Sequence, residues 1–270
     1  MRSVIGSISC STVGNALRGV PWLRWRCAIA LFSVASSVTA QDKPEPPRVI
    51  LAAPLTVSPG KATAITLRGL KLDDATRVEV TGVDLLTELP IKKKEKTGLP
   101  PQVDVKEAGD THVEIELTLP EGFAGQTVSL AIETPAGKSA PYEMLVLPAN
   151  KLIAEVEPNG GFRQPQAIEL GKTVAGSIHQ QRDVDVYQFT GTAGQQIVAE
   201  VTAHRRGSTL DGSLSLFDAQ GRLLATVDDT PAGRDPVLNF TLPASGLYFL
   251  SLIDAHDRGG PTHPYLFQVR

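Results

Sequence analysis

The chain has 270 residues, of which 41% are hydrophobic, 20% charged and 5% aromatic. That is apolar enough to build cores, which excludes wholesale disorder, and long enough for one large domain or two of ordinary size. Gly (24) and Pro (20) point to a turn-rich, all-β protein, and a formal charge of −3 offers no basic excess for nucleic acid.

Residues 1–40 carry Arg2, Arg18, Arg24 and Arg26 and no acid, then an apolar run from Cys27 to Val34, then Val38-Thr39-Ala40. A basic start, a short apolar stretch and a small final residue predict a secretory signal peptide cleaved after Ala40. The run falls short of the roughly 20 apolar residues that cross a bilayer, so no membrane span is expected. Cleavage leaves 22 cations against 29 acids and removes Cys10 and Cys27, so the exported chain has no disulfide. Its stability must then come from its cores or from a metal. The expected location is secreted, periplasmic or at the cell surface.

Residues 41–48 (QDKPEPPR) read as an extended, Pro-rich leader. Residues 49–147 then show short strands separated by turns. Val49–Ala53 comes first, followed by a Pro59-Gly60 turn and an alternating strand over 62–67 that Gly69 ends. Arg77–Val80 is a short strand. His112–Leu119 is the cleanest period-two run, with Val113, Ile115, Leu117 and Leu119 on one face and His112 on the solvent side. Val128–Ile132 and Glu143–Val146 complete the set. Asp84–Lys106 is the weak stretch, and its Lys92–Lys96 run reads as a solvated loop. About seven short strands in 100 residues predict an immunoglobulin-type β-sandwich.

Residues 152–270 are denser in strands. Thr173–Ile178, Val184–Phe189, Gln196–Thr202, Ser213–Phe217, Arg222–Val227, Val237–Leu242, Leu247–Leu252 and Tyr265–Val269 are each bounded by Gly, Pro, Asp or Ser turns. Eight strands so connected predict a jelly-roll-like sandwich. The break at Pro148-Ala149-Asn150 puts the boundary between the two units within about 147–153.

Pro59-Gly60, Ile65–Leu70 and Thr134-Pro135-Ala136-Gly137-Lys138-Ser139 make the first segment resemble the IPT/TIG immunoglobulin-like family. That resemblance implies a spacer or interaction module without catalytic residues. In the second segment the carrying blocks are Glu155–Asn159, Gly176-Ser177-Ile178, Asp183–Phe189, Ser208–Asp211, Leu214–Asp218 and Gly246–Leu250. With these in order, residues 152–270 resemble the bacterial pre-peptidase C-terminal domain, related to clostridial collagen-binding domains. The resemblance implies a β-sandwich accessory module of secreted enzymes and surface proteins, often with calcium. The tandem resembles large secreted proteins of planctomycete type, and an end directly after the last strand fits the N-terminal part of a longer protein.

No G-x-S-x-G, H-E-x-x-H, P-loop or G-x-G-x-x-G is present, and the histidines share no zinc-ligand spacing. Acid pairs are the one unusual constellation. Asp228/Asp229 and Asp254/Asp257 sit beside Arg234 and Arg258 and read as turn caps or ion pairs. Glu155/Glu157 and Asp183/Asp185 are each two residues apart, so in extended chain each pair shares a face about 7 Å apart. Side by side, these four carboxylates and the Asn159 side chain would supply most of the six to eight oxygens that calcium takes. The resemblance implies that these five positions are ligands. Gly160 stands where collagen-binding relatives carry an acid, which removes one. The alternative, that Asp183 and Asp185 shape a turn while Glu155 and Glu157 are solvated, stays open.

The functional expectation is a secreted, non-catalytic binding or spacer protein with calcium as the expected stabilising ion, whose partner is an extracellular protein or polysaccharide. The rival is the N-terminal accessory region of a secreted peptidase or other hydrolase.

Overall fold

The structure is a computed structural model that describes residues 45–84, 88–231 and 233–270. The expected signal peptide and the first part of the leader lie outside the described residues. Among the described residues, no helix is long and apolar enough to cross a membrane.

The chain first forms β1 (Arg48–Ala53), β2 (Thr56–Val57), β3 (Ala62–Leu70), β4 (Arg77–Thr81), β5 (Glu88–Leu89), β6 (Lys93–Lys96), a single helical turn α1 (Val105–Ala108), β7 (Thr111–Thr118), β8 (Thr127–Thr134), β9 (Gly137–Lys138) and β10 (Tyr142–Val146). These make two facing sheets, β1-β3-β7-β6 and β2-β10-β8-β4-β5, with β9 on β8. The period-two pattern decides which side faces in. Val113, Ile115 and Leu117 of β7, with Leu119 just beyond it, are buried against Ile65, Leu67, Leu130, Ile132 and Met144. Burying each such side chain contributes roughly 1.5–3 kcal/mol.

Two sequence expectations need correction here. Lys92–Lys96 is not a loop: Lys93–Lys96 pairs antiparallel with β7 as the sheet's edge. All four residues are exposed, and lysines on an edge strand oppose pairing with a foreign strand. Composition hid the strand, because its side chains face water on both sides. Gly69 does not end β3, which runs to Leu70. It marks an irregularity in the pairing with β1, where a Cβ would lie 1.9 Å from the Arg48 carbonyl oxygen.

The second half continues with β11 (Leu152–Ala154), β12 (Gln166–Ala167), β13 (Thr173–Ser177), β14 (Val184–Gly191), β15 (Gln196–Thr202), β16 (Gly212–Asp218), β17 (Leu223–Val227), β18 (Val237–Thr241), β19 (Gly246–Asp254) and β20 (Pro264–Val269). Its sheets are β11-β13-β20-β15-β18 and β12-β14-β19-β16-β17. Tyr187, Phe189, Leu214, Leu216, Leu250, Leu252, Tyr265 and Phe267 fill the space between them. The protein is all-β, built of β-sandwiches.

The two cores do not merge. A small apolar cluster of Leu51, Leu55 and Leu266, with Leu145, Leu147 and Ala175 against it, lies between them. The Tyr142 hydroxyl donates to the Arg206 carbonyl at 2.7 Å. Gly207 has φ +83°, and a Cβ there would lie 1.8 Å from the Ile50 carbonyl oxygen. We expect Gly207→Val to lower the melting temperature by about 5 °C or more, through a left-handed φ and a backbone clash together. A midpoint unchanged to within about 2 °C would show that the halves do not press together at this point.

Candidate functional site

The five acidic and amide positions singled out from the sequence converge at one end of the second sandwich. β14 carries Asp185 inward, and Asp183 lies just before it. Glu155 directly follows β11, which pairs in parallel with β13. The chain from Glu157 to Asn159 then crosses toward β14, where the Val186 amide donates to the Asn159 carbonyl at 3.0 Å. The two acid pairs thus start from opposite sheets of the sandwich, and the crossing of the chain from β11 toward β14 brings them together.

Glu155 is nearly buried and holds the cluster together. Its Oε1 accepts from the Tyr265 hydroxyl at 2.6 Å, the Tyr187 hydroxyl at 2.8 Å and the Asn159 amide at 3.2 Å. Its Oε2 accepts from the Ser177 backbone at 2.9 Å. Glu157 is more open, and its Oε2 accepts from the Asn159 backbone at 2.8 Å. Asp183 caps a turn, accepting from the His179 backbone at 2.7 Å. Asp185 is fully buried, with its Oδ2 in a short contact with the Tyr265 hydroxyl, whose one proton goes to Glu155.

Two oxygens stand out against this network. Asn159 Oδ1 and Asp185 Oδ1 are buried and find no hydrogen-bond partner among the described residues. An unsatisfied buried acceptor costs about 1–3 kcal/mol, so native structures rarely keep one without a reason. Carboxylate oxygens of Glu157, Asp183 and Asp185 lie within 4.8 Å of one another, and so do ligand atoms of Glu155, Glu157 and His179. Burial, and then the Glu155 charge, push the Asp185 carboxyl up to about 9. The same burial raises the Tyr187 and Tyr265 hydroxyls well above their ordinary range, so both stay neutral donors. A hard divalent cation would satisfy both orphan oxygens and favour ionised Asp185; the donor set, all oxygen apart from His179, fits calcium.

Reading the sequence missed three members of this cluster. Tyr187 sits two residues after Asp185 on the same inward face, a signal available in the D-x-D-x-Y spacing. Tyr265 comes from β20, 80 residues away from Asp185, and local spacing carries no trace of that pairing. His179 Nδ1 lies 3.5 Å from Glu157 Oε1 and 3.7 Å from Glu155 Oε2.

The other acid pairs behave as caps. Asp254 Oδ1 accepts from the His256 and Arg258 backbones at 3.0 Å, and its carboxylate pairs with the Arg258 guanidinium. Asp228 accepts from the following backbone amide. Thr209, His263 and Asp254 superficially resemble a nucleophile, base and acid, with Thr209 Oγ1 3.4 Å from His263 Nδ1 and Asp254 Oδ2 3.9 Å from His263 Nε2. His263 and Thr262 are fully buried and Thr209 nearly so, so no substrate reaches the trio; it is a core polar network. His112 points away from the first core as expected, yet its side chain is only 14% exposed, against Glu95 and Glu114.

Comparison with known proteins finds likenesses in the second half of the chain. A probable subtilase-type serine protease of Deinococcus radiodurans is 43% identical over 99 residues, which are 36% of this chain and 14% of the protease. The chain thus spans about a seventh of that relative's length. The pre-peptidase C-terminal domain of Bacillus anthracis collagenase is 22% identical, covering 39% of this chain and 94% of that domain, with a TM-score of 0.32. The Aeromonas hydrophila periplasmic inhibitor of g-type lysozyme is 17% identical, covering 44% and 96%, with a TM-score of 0.31. Residues 183–253, which include Asp183, Asp185 and Tyr187, match the family model of the bacterial pre-peptidase C-terminal domain.

Proposed function

We propose that the chain is a secreted, non-catalytic binding or spacer protein whose second sandwich holds calcium. The ligands are Glu157, Asn159, Asp183 and Asp185, with Glu155 bridging them to Tyr187 and Tyr265. The observation that carries this reading is the pair of buried, unpartnered oxygens, Asn159 Oδ1 and Asp185 Oδ1, beside carboxylates within ligand distance of one another. The first sandwich, residues 49–147, serves as an immunoglobulin-like spacer, and the boundary to the second lies within 147–153. Export removes residues 1–40. The partner class is an extracellular protein or polysaccharide.

The test is thermal melting and titration calorimetry of the full chain in EGTA and in millimolar calcium. A midpoint raised by calcium, with a measurable heat of binding, is the expected result. Identical midpoints and no heat would remove the ion.

A second reading, the accessory region of a secreted peptidase, is favoured by the 99-residue match to a protease. A protease domain in the reading frame beyond Arg270 would select it. Hydrolysis of casein or a glycan by the purified chain itself would overturn the non-catalytic reading.

A further inference from the structure

A trough runs between the two halves of the protein, with the candidate calcium site at one end and the rest of its length outside that site. Its larger part is a cavity of about 740 Å³ lined by Pro54, Leu55, Ala175, Pro261 and Pro264, with Glu157 and His179 at one end. A second cavity of about 200 Å³ shares Ala53, Thr66 and Pro261 with it, so the two adjoin. The floor of this second part is the outer face of the β1-β3-β7-β6 sheet. Strand register sets its side chains in two rows, Ala53-Thr66-Glu114 and Leu51-Arg68-His112-Glu95. Three strand spacings separate β1 from β6, about 14 Å, which accommodates four or five residues of extended chain.

The lining has a definite chemistry. The waist is aliphatic and proline-rich, with no exposed aromatic platform of the kind a sugar ring stacks on. Both ends carry carboxylates: Glu155 and Glu157 at one, Glu95 and Glu114 at the other. The one arginine of the lining, Arg68, is nearly buried and donates to the carbonyls of Gly98, Ala108 and Gly109 and to Thr97 Oγ1, so it is committed to the fold. Lys93 is shared between Glu95 and Glu114, and His112 lies against the same two. One divalent ion set among four ionised carboxylates still leaves that end negative by two. An aliphatic trough with acidic ends matches a long apolar stem tipped by a cation, which is the form of lysine and arginine.

We propose that this trough docks an extended peptide segment of a partner protein, with a lysine or arginine stem over Pro54, Pro261 and Pro264 and its cationic head toward Glu157. This names a partner for the non-catalytic binding reading and rests on it, but not on the calcium ion. Thr66 supplies the test, because it lines both cavities and is neither a carboxylate nor a candidate calcium ligand.

The experiment uses the full chain and a fluorescein-labelled Ala-Pro-Arg-Pro-Ala-Arg peptide, with a Glu-for-Arg twin, followed by anisotropy. We expect saturable binding of the basic peptide, at least about tenfold weaker binding of the acidic twin, and weakening as salt rises. Thr66→Trp, which fills the trough, should abolish peptide binding while leaving any calcium-induced melting shift intact. Equal binding of the twin, no binding at millimolar peptide, or unchanged binding by Thr66→Trp would each overturn the proposal. Loss of the calcium shift alone, with peptide binding retained, would remove the ion and leave the trough standing.

Discussion

In EGTA at pH 7, Asp185→Asn is expected to melt above the unsubstituted chain, and in millimolar calcium, if the proposed ion binds, below it. The reversal follows from one buried carboxyl. Without an ion, the native Asp185 pKa stands near 9 against an ordinary 3.8. Between those values the folded state holds a proton that the unfolded state has lost, so stability falls as pH rises from about 4 to about 9. At pH 7 that is some three units at about 1.4 kcal/mol each, an upper figure of about 4 kcal/mol that the neutral amide removes. With calcium the sign changes. An ionised carboxylate is a ligand and a neutral amide is a poorer one, so the variant forfeits mass-action stabilisation, about 2.7 kcal/mol when calcium stands at a hundred times its dissociation constant. Calcium binding must also release the Asp185 proton, so affinity should rise with pH across the same window. Melting curves of both proteins at pH 5, 7 and 8.5, with and without calcium, read all of this. A variant that shifts the midpoint in the same direction in both buffers would show that Asp185 meets no ion.

Much of this arrangement could be read from residues alone, and the remainder could not for identifiable reasons. Val113, Ile115, Leu117 and Leu119 showed their inward face because a half-buried strand must alternate, and all four are buried. Asp183 and Asp185 were conspicuous because acids two apart at the start of an apolar strand place charge beside a core. What stayed hidden was set by pairing between distant segments. Tyr265 reaches Glu155 only because β20 lies beside β13, a pairing that carries no local periodicity. The Lys93–Lys96 strand was invisible for the opposite reason: an edge strand facing water needs no apolar residue, so pattern reading finds only a charge run. The trough between the halves depends on side chains from Ala53 to Tyr265, and no window of sequence holds both walls.

The second large effect is a loss of stability in mild acid that His263 controls. His263 is fully buried, and burial pulls its pKa down to about 4, with Arg258 opposing protonation and the Asp254 carboxylate only partly offsetting both. Thr209 and Thr262 complete its polar surroundings. Asp254 stays ionised there: backbone amides of Asp211, His256 and Arg258 and the Arg258 guanidinium outweigh the cost of burial and hold its carboxyl below the usual range. Between pH 6.5 and about 4 the unfolded histidine therefore binds a proton that the folded one refuses. Stability is complete above pH 6.5 and declines as pH falls through that window, by about 3 kcal/mol if the full shift applies. For a chain of this size that is a fall of roughly 5–10 °C in the melting midpoint. Metal-free Asp185 acts in the opposite sense over the same range, so the measurement belongs in the Asp185→Asn background, where the histidine acts without that counterweight. There, His263→Gln should flatten the decline between pH 6.5 and 4.5 whatever it does to the midpoint at pH 7. An equally steep decline in the double variant would place the acid sensitivity elsewhere in the fold.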